Sequence, residues 1–449
     1  MDEVQFGENK KKLNVILITG MLVFSFGTFT LDSFISSPRV KVFYLITTMF
    51  IFIIYYLLYN KLITIYKSEI LWLLFICYFI LNSLYLENIN KTFLIDIIVF
   101  FMLFFYLLLV KVDIKYHRIV ILVMLALSTI YALSSVFQFL NMDLYSKLIL
   151  PYFTESQKEE VLRLYGNGSY TGFTRQTAYI SGYLTFGLGI ALLTINKFKG
   201  GVFQAIIIAI VPLLTFALFL GGKRAHVLFT IIALIITYLF STKVKKLFLQ
   251  LLKILTWAMF LFITTIIIFS FYTPDRESQF GKVYYRFENT FTSFLQGEDI
   301  SSGRLILYEK ALKLFYENPI LGIGWREFKE LTYGLLTSSS GSHPHNIYLQ
   351  LITELGLIGF ILFIVPVIYM YIKTIKYLLN VDILLQFDEW WKVGLQFSLF
   401  VQSFFLLYGL TGNLLTDHMY ILMYIFASAI TLSAVKQSKS TTNHLVAKG

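Results

Sequence analysis

The chain is a succession of apolar runs, each about long enough to cross a bilayer. Roughly 20 apolar residues span the hydrocarbon core. Such runs fall near 13–31, 40–59, 69–86, 93–110, 118–139, 176–195, 202–220, 225–241, 251–271, 346–371, 393–412 and 416–435. Hydrocarbon offers no partner to backbone N–H and C=O groups, so runs of this kind are expected as helices. Composition agrees, with 57% hydrophobic and only 14% charged residues, against roughly 25% charged in soluble domains. The expected fold is an all-α polytopic membrane protein with about twelve transmembrane helices.

Charge sets the expected orientation. Lys10, Lys11 and Lys12 precede the first run, and no small-residue cleavage pattern follows it, so it reads as a retained span. With the N-terminus inside, the inner segments carry Lys10 to Lys12, Lys61, Lys67, Lys111, Lys115, Arg118, Lys197, Lys199, Lys243, Lys245, Lys246, Lys253, Lys373, Lys376, Lys392, Lys436, Lys439 and Lys448. The short outer loops carry only Arg39, Lys41, Lys91, Lys223 and Arg224. This asymmetry places both termini in the cytoplasm and accounts for the net charge of +11 without nucleic acid. Cys77, the only cysteine, allows neither an intramolecular disulfide nor a cysteine-based zinc site.

The expected organisation is an N-terminal bundle over 1–139, an outer loop over 140–175, further spans over 176–271, a large outer loop over 272–345, spans over 346–435 and a cytoplasmic tail over 436–449. The first outer loop holds an amphipathic helix near 154–163, a turn-rich run from Gly166 to Gly172, and Arg175 directly before a span. The second is too long for an idle connection. Within it, 303–317 reads as an amphipathic helix with Tyr308, Leu312 and Phe315 on one face, Ser302 as its cap and Asn318-Pro319 as its stop.

The second outer loop runs without a break into an apolar helix through Ser342-His343-Pro344-His345-Asn346-Ile347. Pro344 disfavours the α conformation at His343, so the helix is expected to start at or just after it. His345 then falls in the first turn, where the positive end of the dipole disfavours imidazolium and leaves a ring able to accept a proton. Glu354 lies nine residues on, about 13 Å along a helix, too far to orient that ring directly.

Cations sit where the topology disfavours them. Lys223 and Arg224 follow Gly221-Gly222 at an outer helix end, and charges at membrane depth mark substrate paths or paired counter-ions. An arginine fork matches phosphate bidentately. Arg304 begins the amphipathic helix, where backbone N–H groups already favour an anion. Arg224, Arg304 and His345 thus form an anion-binding and proton-accepting set, with Lys223, Arg175 and His343 as further substrate-binding candidates. His343, His345, Asp417 and His418 supply metal-type ligands on one side, but nothing in their spacing fixes a site, and no metal or other cofactor is expected.

Ser302-Gly303-Arg304, the helix after it, Asn318-Pro319-Ile320-Leu321-Gly322-Ile323-Gly324-Trp325, and His345-Asn346 followed by Gly356 and Gly359 together resemble the O-antigen ligase/polymerase family. Gly222-Lys223-Arg224-Ala225 is similar to that family's arginine motif, with Lys223 where a small polar residue is more usual. The resemblance implies a GT-C-like membrane fold in the bacterial plasma (inner) membrane, with the active site facing the outside or periplasm. It implies a metal-independent inverting glycosyltransferase whose donor is an undecaprenyl-pyrophosphate-linked glycan, and whose acceptor is a glycan or lipid-linked saccharide. Arg224 and Arg304 map to its pyrophosphate-binding arginines and His345 to its general base. The roles it implies are repeat-unit polymerase for capsule or O-antigen, or O-antigen ligase, with membrane lipid as surroundings and a chain-length regulator among the partners it allows. The alternative from another class is a twelve-span transporter or flippase of lipid-linked oligosaccharide; the lack of paired halves argues against it.

Overall fold

The computed structural model describes residues 2–30, 38–59, 65–86, 91–198, 200–241, 275–296, 303–333, 342–380 and 388–446. Among them the chain is helical, with short 3₁₀ turns and no strand. The helices in order are α1 (Asp2–Thr30), α2 (Pro38–Tyr59), α3 (Lys67–Tyr85), α4 (Lys91–Leu109), α5 (Ile114–Leu140), α6 (Met142–Leu148), α7 (Glu155–Gly166) and α8 (Thr177–Thr194). They continue as α9 (Val202–Leu220), α10 (Arg224–Ser241), α11 (Gln279–Leu295), α12 (Arg304–Glu317), α13 (Glu327–Leu331), α14 (Ile347–Leu379), α15 (Glu389–Tyr408) and α16 (His418–Val446).

Seven of the described helices are long and apolar enough to cross a membrane: α3, α5, α8, α9, α10, α14 and the His418–Lys439 part of α16. The apolar stretches of α1, α2 and α4 (Asn14–Thr28, Phe43–Leu58 and Phe93–Leu109) are shorter. The run expected at 251–271 lies outside the described residues. The chain divides into two compact units, one of Met1–Leu31, Ser36–Met124 and Gly303–Gly449, the other of Asp32–Ile35 and Leu125–Ser302.

In the first unit, aromatic rings fill the space between α3, α4 and α14. Trp72 and Phe363 meet edge-on at 5.4 Å between centroids, Phe75 and Phe100 at 5.2 Å, Phe79 and Trp325 at 5.2 Å. Such pairs add to plain area burial. Polar groups then fix helix register: Gln402 Nε2 donates to Thr374 Oγ1 at 3.0 Å and to Ser398 Oγ at 2.8 Å, which joins α14 to α15. Ser398 donates on to Ala427 O in α16 at 2.6 Å.

α14 is broken at Gly356, whose φ of 67° and ψ of −175° only glycine adopts readily. The break frees carbonyls and N–H groups that need partners where water is scarce. The stretch 319–324 supplies them. Ile323 N donates to Thr353 O at 2.9 Å and Gly324 N to Glu354 O at 3.0 Å, while Leu357 N donates to Pro319 O at 2.9 Å. Tyr78 OH closes the set on Leu355 O at 2.7 Å, and Asn82 Nδ2 holds the inserted stretch through Leu321 O at 2.9 Å. Gly322, at φ 74°, lies so close to Glu354 that a Cβ there would meet its carbonyl carbon at 2.5 Å.

Two expectations for α12 change. Gly303, at φ 79°, occupies the N-cap position assigned to Ser302, which lies outside the described residues. The buried face is Leu307, Ala311 and Leu314 with Phe328, not Tyr308, Leu312 and Phe315. The small Ala311 lets α14 approach, and Thr353 Oγ1 donates to Ala311 O at 3.0 Å.

In the second unit, α7 forms where an amphipathic helix was expected, capped by Thr154, whose N–H donates to Gln157 Oε1 at 3.1 Å. The turn after it is pinned from several sides. Gln138 Oε1 accepts from Thr171 N at 2.8 Å and Gly172 N at 2.9 Å, and Tyr170 N donates to Leu220 O at 3.0 Å.

Candidate active site

His345 is not in the first turn of its helix. α14 begins at Ile347, and Asn346 is its N-cap, accepting from Tyr348 N at 2.9 Å and Leu349 N at 3.1 Å. The capping amide meets the N–H groups that the sequence reading left facing His345. His345 instead sits two residues before the helix at φ 53°, one of two described non-glycine residues with positive φ. Such strain collects where a surrounding structure imposes a functional geometry.

The turn between α15 and α16 imposes it here. Gly409 O accepts from Ile347 N at 2.8 Å and Leu406 O from Tyr348 OH at 2.6 Å, fixing the start of α14. Asn413 Nδ2 lies 3.1 Å from His345 Nδ1. Two residues earlier, Thr411 O accepts from Arg304 Nη1 at 3.1 Å. One turn thus holds a guanidinium at the start of α12 and an imidazole before α14. The Asn413 amide decides the tautomer: its NH₂ toward Nδ1 leaves the proton on Nε2, whereas its oxygen there draws the proton to Nδ1 and puts the lone pair on Nε2.

Behind this pair lies a charge that the sequence reading missed. Asp96 of α4 is buried and accepts from Trp325 Nε1 at 2.7 Å, Arg326 Nε at 2.8 Å and Arg326 Nη2 at 3.0 Å, with His418 Nε2 at 2.8 Å. Arg326 is the second strained residue, at φ 67°. It follows the stretch inserted at the break of α14, so the carboxylate anchors the end of that insertion. Neither Asp417 nor His418 joins the two other histidines on a metal, and the described residues contain no group of three or more metal-type ligands. The available signal was Asp96 itself, an acid inside the apolar run Phe93–Leu109.

His343 stands beside this cluster. Burial pushes its imidazole down to about 3, and Arg326, Lys329 and His345 add repulsion that Asp96 only partly offsets. It is a neutral ring and a poor proton acceptor.

The second unit holds the other sequence candidates. Gly222, at φ 65°, turns the chain between α9 and α10, and Lys223 O accepts from His226 N at 3.0 Å as Arg224 opens α10. Lys223 and Arg224 are half-buried. Arg286 of α11, unremarked in the sequence, packs its guanidinium on Gly222 and donates to Ser169 Oγ. Burial lowers its pKa from the usual arginine range, and the Arg224 charge lowers it further. Lys223, Arg224 and Arg286 therefore form one basic group. Arg175 lies over the Tyr179 ring at 5.4 Å and donates to its hydroxyl at 3.3 Å, one turn into α8.

No curated protein matches the chain. Residues 207–364 match a family model described as O-Antigen ligase. That stretch includes Gly222 to Arg224, Arg304, the insertion at 318–326, His345 and the break at Gly356. This match over 207–364 supports an O-antigen ligase/polymerase family for the chain.

Proposed function

We propose that this protein is a membrane-embedded inverting glycosyltransferase that takes a glycan from an undecaprenyl-pyrophosphate donor at the outer face of the plasma membrane. Its role is repeat-unit polymerisation of capsule or O-antigen, or ligation of O-antigen to a further acceptor. In the twelve-span topology expected from the sequence, with both termini in the cytoplasm, Arg224, Arg304 and His345 are each assigned to the outer face. The observation that carries the reading is that Arg304 and His345, an anion binder and a proton acceptor within the stretch that matches the O-antigen ligase family, are held by one turn, through Thr411 and Asn413 two residues apart.

The reaction proposed is a single displacement. The acceptor hydroxyl oxygen bonds to the anomeric carbon as the bond from that carbon to the pyrophosphate oxygen breaks. The leaving pyrophosphate keeps the electron pair, and the hydroxyl proton passes to His345. Guanidinium groups already in place favour the growing negative charge without reorganisation, and a positioned base contributes about 10² to 10⁴ in rate. In this scheme Arg304 binds the donor pyrophosphate beside His345, and Arg224 is a pyrophosphate-binding candidate of the second unit, with Lys223, Arg175 and His343 as substrate-binding candidates. The broken helix α14 has a counterpart in transporters, but here its freed backbone is filled by the chain's own 319–324.

The test is a pair of measurements on purified full-length protein: donor-lipid binding and single-turnover transfer. His345→Ala should bind donor normally and transfer it at least 10²-fold more slowly. Chelation should leave wild-type transfer unchanged. Normal transfer by His345→Ala, or loss on chelation restored by one divalent ion, would overturn the scheme.

A further inference from the structure

At the other end of the first unit's helices, lysines gather on one tyrosine. Lys111 Nζ lies 4.7 Å from the Tyr66 ring centroid, Lys439 Nζ 5.0 Å and Lys373 Nζ 5.5 Å. They come from three places in the sequence: the α4–α5 link, the end of α16 and the end of α14. Tyr377 OH and Ser438 Oγ, 3.0 Å apart, join the last two helices there, and Lys436 Nζ donates to Lys111 O at 3.1 Å.

Among the described residues, the carboxylate in this cluster is Glu69, and it is committed. It pairs with Lys111 at 2.5 Å and accepts from Tyr66 N at 2.8 Å and Ser68 Oγ at 3.1 Å, all buried. One negative charge offsets one lysine. Burial pushes the Lys111 ammonium below its usual range, Glu69 opposes this, and Lys373 adds repulsion. Lys373 and Lys439 bring further positive charge to the same ring, a cation–π arrangement that each ammonium enters separately. Lys373 is also held by Tyr369, 5.0 Å from its ring and donating to its hydroxyl at 3.2 Å, and three cations around a single carboxylate suit an anion from outside the chain.

Position indicates which anion. Lys373 is 17 residues beyond the break at Gly356 in α14, roughly 26 Å of helix at 1.5 Å per residue, close to the thickness of a hydrocarbon core. The cluster therefore sits across the bilayer from His345, on the side where the lysine-rich segments fall. Ile65, Ile70 and Ile372 are exposed around it, an apolar flank suited to acyl chains and not to a free ion. We infer that the Tyr66, Lys373 and Lys439 cluster binds the phosphate headgroup of an anionic phospholipid at the cytoplasmic leaflet. The site is independent of the glycosyl-transfer reading, since it shares no residue with it.

The experiment titrates full-length protein in neutral detergent micelles with phosphatidylglycerol, phosphatidylcholine or inorganic phosphate, counting bound molecules by native mass spectrometry. Phosphatidylglycerol should bind tighter than phosphatidylcholine at one site per chain. A lysine near an anionic headgroup is worth about fivefold in affinity, so Lys373→Gln/Lys439→Gln should weaken that site about 25-fold. Lys376→Gln, the same charge change on an exposed lysine nearby in α14, should leave it within twofold. Lys439→Gln alone, at an exposed position, should still cost about fivefold if the double variant fails to fold. Equal binding of the two lipids, an equal loss from Lys376→Gln, or saturation by inorganic phosphate with no lipid preference would each overturn the assignment.

Discussion

Replacing Asp96 by asparagine removes one charge and keeps the shape. The carboxylate is 1% exposed and the Arg326 side chain 18%. Four donor contacts converge on two oxygens, two of them from the Arg326 fork. Asparagine keeps one acceptor oxygen, enough for Trp325 or one arm of Arg326. Its NH₂ then faces a donor. Breaking a buried pair by removing one partner costs about 3–5 kcal/mol, because the other charge is left stranded. Arg326 retains some contact with solvent, so the lower end, about 3 kcal/mol, is expected for Asp96→Asn. Arg326→Gln should cost a similar amount by stranding the carboxylate, which keeps Trp325 and His418. In the double variant neither charge remains, so its loss should fall short of the sum by about 2 kcal/mol, within the range for residues sharing one network. Equilibrium unfolding of the purified full chain in one detergent, followed by helix signal and tryptophan fluorescence together, measures all four proteins. A double variant as destabilised as the sum of the singles would refute the coupling. An Asp96→Asn protein as stable as wild type would refute the pair as an anchor.

Four further outcomes are expected. Arg224→Ala and Arg304→Ala should each nearly abolish transfer with insertion intact, and lysine should rescue poorly because an ammonium lacks the bidentate fork; transfer assays on membranes check this. Asn413→Asp should move the acid limb of the transfer-rate profile upward by about one pH unit, since a carboxylate at His345 Nδ1 favours imidazolium, while Asn413→Ala should lower turnover with donor binding retained. Gly356→Ala adds a Cβ against Ile320 O and forces a φ that alanine avoids, a cost of about 1–3 kcal/mol for the backbone alone, and protease cleavage within 318–326 should report the loosened insertion. His343, held near 3 against about 6.5 when unfolded, makes stability full above about pH 6.5 and lost as pH falls toward 3, because the unfolded chain takes up the proton first; His343→Gln should flatten that acid slope in pH-dependent melting.

What was legible in the sequence followed from length and periodicity. α9 and α10 lie within a residue of the expected runs, and α12 within one residue of 303–317, because apolar length, a glycine pair and Asn318-Pro319 all act locally. The inward face of α12 was missed because two stripes, Leu307–Ala311–Leu314 and Tyr308–Leu312–Phe315, share a helical period. The choice between them was made by Thr353 and Phe328, which no local rule brings there. The helix start at Asn346 was missed for a related reason. Pro344 permits a start, but the asparagine side chain accepts two N–H groups and sets it later. No local pattern names the partners of Asn413 and Asp96: one lies 68 residues from His345, the other 230 from Arg326.

That separation explains the form of the first unit. His345 and Arg304 are set by backbone that reaches them from Thr411 and Asn413, so their spacing depends on how α15 and α16 meet. Those two helices are held by buried polar contacts such as Ser398 to Ala427 O, rigid where hydrocarbon leaves no alternative partner. Arg326 is set differently, through Asp96 at the end of the insertion into α14. The two supports meet at the start of α14, where Ile347 binds the α15–α16 turn and Thr353 and Glu354 receive the insertion, and again at His418, the first residue of α16, which donates to Asp96. A change in the α15–α16 turn therefore reaches the imidazole directly through Asn413, and a change in the insertion reaches it along the short stretch from Glu354 back to His345, too short and too tightly bonded to absorb it.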